Sequence, residues 1–321
     1  MELKLALAGD TMLGRGVAEQ LSATPHAPLF APDVLAVAAE ADLFVVNLEC
    51  CISTRGERWP DPSKPFFFRA PPAAVHALHV LGVDCVTLAN NHALDYGRQA
   101  LLDTFEHLES SGIAYAGAGA DERAAHTPPI LTSRDGFRLA VVSAADYPQE
   151  YAAGPRLPGM AYVDFRHELP QWLLDAIGSA DTDAVLVSPH WGPNMAAHPL
   201  RPTRAVGSAL VRAGATLVAG HSAHVFQGIE GRILYDLGDL LDDYAVEPHL
   251  RNDLGLLFIV TLDERGPRRL EAVPLKLDYC HTRLATGDDA AWIRGRFRKA
   301  CALLGTQVGE EDGRLVVSWA D

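Results

Sequence analysis

Residues 83–97 read VDCVTLANNHALDYG. The opening VDCVTL (83–88) is short, apolar and β-branched, which predicts a buried strand. It stops abruptly at Asn90, Asn91 and His92. Beyond it, Leu101, Leu102, Phe105 and Leu108 share one face of a helix predicted over 97–111. A buried strand that ends in a polar cluster and passes into a helix is the repeating unit of an α/β sheet. In such sheets ligand groups sit outside the carboxyl ends of the strands.

The same unit recurs in both directions. Strands are predicted at 2–8, 42–47, 113–117, 137–144, 183–188 and 215–219, and helices at 13–22, 33–40, 72–81, 166–178 and 201–213. Stretches 54–71 and 145–161, rich in Pro and without periodicity, read as loops. After residue 220 the pattern changes. Residues 224–236, 254–262 and 268–277 read as consecutive antiparallel strands, followed by a helix at 288–303 and a hairpin at 306–319. Alternating β and α followed by mostly β suits an αββα sandwich of two mixed β-sheets flanked by helices. We expect one domain over 1–280, with 281–321 as a C-terminal helix and hairpin packed on it.

Polar residues cluster at successive strand ends: Gly9-Asp10, Asn47-Leu48-Glu49, Asn90-Asn91-His92, His190-Trp191-Gly192 and Gly220-His221-Ser222-Ala223-His224. A sixth cluster, Tyr235-Asp236-Leu237-Gly238-Asp239, follows a late strand. Any one of these is an ordinary cap or satisfied polar group. Together they are costly to desolvate unless something binds them, and divalent ions take imidazole nitrogen together with carboxylate oxygen.

The ordered motifs at 9–15 (GDTMLGR), 47–49 (NLE), 68–71 (FRAP), 88–97 (LANNHALDYG), 190–192 (HWG) and 220–225 (GHSAHV) resemble those of CapA proteins, the poly-γ-glutamate capsule synthesis type. Their fold is similar to that of calcineurin-like metallophosphatases. The resemblance spans about residues 3–280. It implies Asp10, Glu49, Asn91, His190, His221 and His224 as ligands of one or two divalent metals (Mn, Fe or Zn). It implies His92, with Asp10 and His190, in catalysis, and Arg15, Arg69 and Trp191 at the substrate. Asp95 has two readings, orienting His92 or capping the helix at 97–111. Met12, as is usual in CapA proteins, stands where calcineurin-like enzymes carry His; the chain departs from the CapA pattern at Asn194 in place of Glu. Ser222-Ala223 stand in place of His-Pro, and Asp236-Leu237-Gly238-Asp239 in place of Ser-Leu-Gly-Asn.

Composition bounds the rest. A net charge of −14 argues against a nucleic-acid partner. No apolar run is long enough for a membrane anchor and the first residues lack the pattern of a signal peptide, so a cytoplasmic location is expected. The five cysteines (Cys50, Cys51, Cys85, Cys280 and Cys301) have no metal-knuckle spacing and read as buried thiols. The histidines outside the motifs read as structural or surface residues, except His281, which follows a strand.

Three functions are open at this point. The first is a metal-dependent hydrolase or transferase acting on a peptide-like or anionic substrate, such as polyglutamate or a phosphoester. The second is a metal-independent peptide epimerase pairing Asp10 with His92, His190 or His281. The third is a non-catalytic subunit for polymer synthesis.

Overall fold

The computed structural model describes residues 1–178 and 181–319. Strand periodicity explains its layers. In the strand Glu2–Thr11, Leu3, Leu5 and Leu7 face one side and Ala6 and Ala8 the other. The leucines meet Leu139, Val141, Leu186 and Leu217 in a core between two sheets. The alanines lie under helical residues Val17, Val34, Leu78 and Leu101. The second sheet repeats the device: Ala140 and Val142 face outward against Leu173 and Leu210 of helices Gln171–Gly178 and Arg201–Arg212. The result is the expected αββα sandwich.

The larger sheet has ten strands among the described residues. Its centre is parallel: Glu2–Thr11, Leu43–Leu48, Cys85–Thr87 and Ala114–Ala116. On the other side of Glu2–Thr11 it continues antiparallel through Leu254–Asp263, Gly266–Asp278 and Arg314–Ser318. The smaller sheet has six strands. Arg138–Ala145, Ala184–His190, Leu217–Ala219 and Ile233–Leu234 run parallel within it. The parallel strands of both sheets end on the same polar clusters.

The expected strand over 224–236 is replaced by a turn and two short strands, Ile229–Glu230 and Ile233–Leu234. Gly231, at φ 54, reverses the chain between them. They extend the smaller sheet, and the chain then returns to the larger one as Asp239–Leu241, parallel to the first strand. The helix expected from 166 begins only at Gln171, directly after Pro170. The edge strands Ile130–Thr132 and His281–Leu284 are short and were not expected. The C-terminal segment is built into the sandwich: Arg314–Ser318 pairs with Gly266–Asp278, and Ile293, Phe297 and Cys301 lie in the inter-sheet core. Residues 320 and 321 of the expected 281–321 segment fall outside the described residues. All five cysteines are free and buried. Among the described residues no helix is long and apolar enough to cross a membrane.

Two local features carry predictions. Gly9 precedes Asp10 where the returning chain crosses: a Cβ there would lie 1.8 Å from Gly238 O, the carbonyl that accepts the Asp10 N–H at 2.9 Å. Gly9→Ala therefore forces the first strand and the segment before Asp239–Leu241 apart and is expected to cost about 3 kcal/mol in denaturant unfolding. An effect under about 1 kcal/mol would show that the crossing yields easily.

Asp103, buried on helix Gly97–Ser110, accepts from Arg55 Nε (3.0 Å), Ser53 Oγ (2.6 Å) and Gln99 Nε2 (3.0 Å). This ties the loop 54–68 to the helix. Arg55 first, then Ser53 and Gln99, hold its carboxyl below the ordinary value, at about 2, against the effect of burial. A depressed carboxylate stabilises the fold above its unfolded pKa, and that stabilisation is lost as pH falls through the folded value. Stability is thus expected to drop between about pH 4 and pH 2. Asp103→Asn should flatten that part of the profile in acid titrations of unfolding.

Candidate metal centre

Backbone pairing places the polar strand ends opposite one another. Asp10 is the ladder partner of Asn47 on one side and of Asp239 on the other. His190 is bridged to His221 in the smaller sheet, with Trp191 N donating to His221 O at 3.1 Å. The turn after Gly220 then delivers His224. Ser222 and His224 both adopt positive φ (126 and 58), conformations costing about 1–3 kcal/mol each in non-glycine residues. Such strain concentrates at functional sites.

Side chains converge accordingly. Asp10 Oδ1 accepts from Asn47 Nδ2 at 2.7 Å, and Asn47 Oδ1 accepts from Thr87 Oγ1 (3.1 Å) and Asn90 Nδ2 (3.0 Å). His221 Nδ1 lies 3.7 Å from Asp10 Oδ1 and 2.8 Å from His190 Nδ1. His224 Nδ1 hydrogen-bonds Asp239 Oδ1 at 2.9 Å and stands 3.3 Å from Asp10 Oδ2. Tyr244 OH donates to Glu49 Oε2 at 3.1 Å. Two donor groups result, Asp10–His190–His221 and Asp10–His224–Asp239, each with its ligand atoms within 4.8 Å of one another. Asp10 belongs to both.

The donor chemistry fits divalent ions. Asp10 Oδ2, Glu49 Oε1, Asn91 Oδ1 and Asp239 Oδ2 are buried oxygens without a hydrogen-bond partner, an arrangement that native interiors otherwise avoid. The Nδ1 atoms of His190 and His221 face each other at 2.8 Å, closer than the ~3.4 Å between two tetrahedral ligands at ~2.1 Å, so a shared ion would spread them slightly. His221 Nε2, 3.4 Å from Thr87 Oγ1, has the outer partner that orients a ligating imidazole.

Electrostatics point the same way. Burial, then the Asp10 charge, pushes Glu49 up to about 8. Burial raises Asp10 against the pull of His224 and Asn47, and raises Asp239 well above the ordinary value. It lowers His190 well below the usual range and His221 to about 3, with neighbouring histidine charge adding to each. For His224 burial pulls down, but Asp239, Glu49 and Asp10 outweigh it and hold the ring well above its ordinary value. The surrounding carboxylates thus favour a positive charge at this point, where a bound cation would sit.

This pattern has known relatives. Residues 4–244 match the family model described as bacterial capsule synthesis protein PGA_cap. The chain belongs to the PGA_cap family. It is 33% identical over 286 residues to a probable polyglutamine synthesis accessory protein of Mycobacterium tuberculosis, covering 83% of this chain and 74% of that one. It is 26% identical to the capsule biosynthesis protein CapA of Bacillus anthracis (86% of this chain, 68% of the relative). To the PGA biosynthesis protein CapA of Bacillus subtilis it is also 26% identical (86% and 72%).

The sequence-expected residues of this PGA_cap chain divide into those at the centre and those outside it. Asp10, His190, His221 and His224 belong to the two donor groups, which Asp239 completes, while Glu49 and Asn91 each present an unpartnered oxygen. His92 stands beside the centre. Its Nδ1 is 2.6 Å from Asp95 Oδ2, and its ring stacks on Phe68 with centroids 4.0 Å apart. Asp95 does not cap the helix, whose N-cap is Tyr96 without a side-chain bond. It also accepts from Phe68 N (2.6 Å) and Tyr151 OH (3.2 Å), and lies 3.0 Å from Lys64 Nζ.

The two arginines expected at the substrate are otherwise engaged. Arg15 is ion-paired with Asp243 and lies 5.3 Å over both Phe68 and Tyr244. Arg69 donates to Arg55 O at 3.1 Å and lies 4.0 Å over Tyr96. Trp191 is buried, with Nε1 bonded to Tyr235 O at 2.9 Å. Met12 is wholly buried in the apolar core, so no donor occupies that motif position. His281 pairs with Asp278 on its edge strand, in neither donor group. Asp239 was not read as a donor from the sequence, and Lys64 and Tyr244 were not singled out. Asp239 had a signal, its place in the sixth polar cluster. Lys64 and Tyr244, both in loops, had none.

Proposed function

We propose that this PGA_cap member is a metal-dependent hydrolase or transferase. Its centre would be built on Asp10, with Glu49, Asn91, His190, His221, His224 and Asp239 as the remaining donors. The observation that carries the reading is the sharing of Asp10 between two donor groups that also gather unpartnered buried oxygens. Divalent ions, if held by these residues, would supply Lewis acidity toward a scissile phosphoryl or carbonyl group.

The chain's own proton chemistry falls to His92. Burial lowers it below its ordinary value although Asp95 pulls upward, which favours the neutral ring. With Nδ1–H bonded to Asp95, Nε2 carries the lone pair and is the atom that accepts a proton. Asp95 fixes that tautomer, and Lys64, Tyr151 and the Phe68 N–H fix Asp95. Asp239 supplies an oxygen donor in a motif position where an amide was expected. This weakens the motive for a metal-independent epimerase, which was the loss of donors.

The relatives' names point to capsular polymer synthesis, so γ-glutamyl peptides belong beside phosphoesters in a substrate panel. His92→Gln is expected to keep metal content by elemental mass spectrometry while turnover falls about 10²–10⁴-fold, the usual weight of a positioned acid–base group. Full turnover in the variant would remove His92 from the mechanism. Turnover unchanged by chelation in the parent would remove the metal.

A further inference from the structure

Beyond His190 the chain forms a second feature that the donor groups do not use. Trp191 and Gly192 follow His190 directly, and Asp146 follows Ala145, the ladder partner of His190. These residues open a cavity of about 300 Å³ that begins one residue past the donor. Its floor is the Trp191 indole, held in place by Tyr235 O. Phe165 meets Trp191 edge-on at 6.1 Å, and Leu200 and Val206 complete the wall. An apolar cavity of about 150 Å³ already holds a benzene ring, so an aryl or branched alkyl group fits here.

Charge narrows the occupant. Of the charged groups lining the cavity, Asp164 is joined to Arg166 by two hydrogen bonds of 2.7 and 2.8 Å. Asp146 accepts the Gly192 N–H, at 3.1 Å. The formal charge of the lining is therefore −1, Asp146 and Asp164 against Arg166, beside apolar walls. A carboxylate brought there is both desolvated and repelled.

We propose that this cavity is a substrate subsite for an uncharged apolar group, adjacent to the reacting bond, and that Asp146 excludes acidic groups from it. The assignment to substrate rests on the hydrolase or transferase reading. It makes the residue next to the reacting bond apolar rather than glutamyl.

The test is binding, measured on the full chain. N-acetyl-4-fluorophenylalanine amide is titrated by fluorine NMR, and N-acetylglutamic acid amide by saturation-transfer NMR. The aryl probe is expected to saturate and to bind at least about tenfold more tightly than the glutamyl probe. Thr203→Phe, which fills the cavity from helix Arg201–Arg212, is expected to weaken the aryl probe about tenfold with thermal stability checked in parallel. Asp146→Asn keeps an acceptor for Gly192 N–H and is expected to narrow the difference between the probes. Equal affinities in the parent overturn the proposal, as does undiminished aryl binding in a folded Thr203→Phe variant. Metal content of the same samples separates the two readings. Aryl binding in a chain that takes up no metal sinks the metal-dependent reading alone, and metal without aryl binding sinks the subsite alone.

Discussion

Replacing Asp10 by Asn is expected to abolish retention of divalent metal while leaving the metal-free protein at least as stable as the parent. Asp10 is common to both donor groups, so its loss dismantles the whole centre and not half of it. Substitution of outer residues that merely orient ligands weakens metal binding about 10–100-fold. Loss of a shared donor should exceed that, by calorimetric titration with manganese or zinc chloride. The stability half follows from burial. Asp10 is buried beside Glu49 and Asp239, and all three hold pKa values above their ordinary range. An amide can still accept the Asn47 hydrogen bond and removes one charge from that crowd. Chelator-treated parent and variant should therefore melt together, or the variant higher. A variant that keeps stoichiometric metal would end the shared-donor reading. One that loses metal yet keeps full biological activity would make the chain a non-catalytic subunit.

The largest loss of stability is expected at Asp95. Its carboxylate is fully buried and serves His92, the Phe68 N–H, the Tyr151 hydroxyl and the Lys64 ammonium. Asp95→Ala leaves the nearly buried Lys64 ammonium without its counter-charge, bonded only to Asn91 O at 2.7 Å, and three other donors without their acceptor. Breaking a buried pair on one side costs about 3–5 kcal/mol, far more than the pair itself contributes. The urea midpoint should fall accordingly with an unchanged slope. A second substitution, Lys64→Met, should recover part of the loss, because the stranded charge is the larger share of it. No recovery would mean that the cost lies in the Phe68 and Tyr151 bonds instead. A midpoint near the parent's would mean that the loop 54–68 repacks freely around His92.

Much of this site was legible because buried strands are apolar until they end. Asp10, His190 and His221 each break such a run, and a polar residue there has few alternatives to the cluster it joins. Asp239 was hidden by its surroundings: the apolar stretch before it imitates one strand, whereas Gly231 folds it into two. The strand that carries Asp239 has only three residues. Arg15 could not be placed from its motif, because its partner Asp243 lies 228 positions away. Asp95 was ambiguous for a local reason: three residues after a histidine and two before a helix, it suits a cap as well as an orienting carboxylate. Only the positions of Lys64, Phe68 and Tyr151 decide between them.

Asp10 and Asn47, Asp10 and Asp239, and His190 and His221 are neighbours across hydrogen-bonded strands. The spacing of such neighbours is a property of the backbone and does not depend on the side chains they carry. The centre is therefore a fixed template with exchangeable inserts. A carboxylate can replace an amide, or an imidazole a carboxylate, without any loop having to be redrawn. On such a template, chemical novelty arises by single-letter edits, and related chains can share one geometry while preferring different ions.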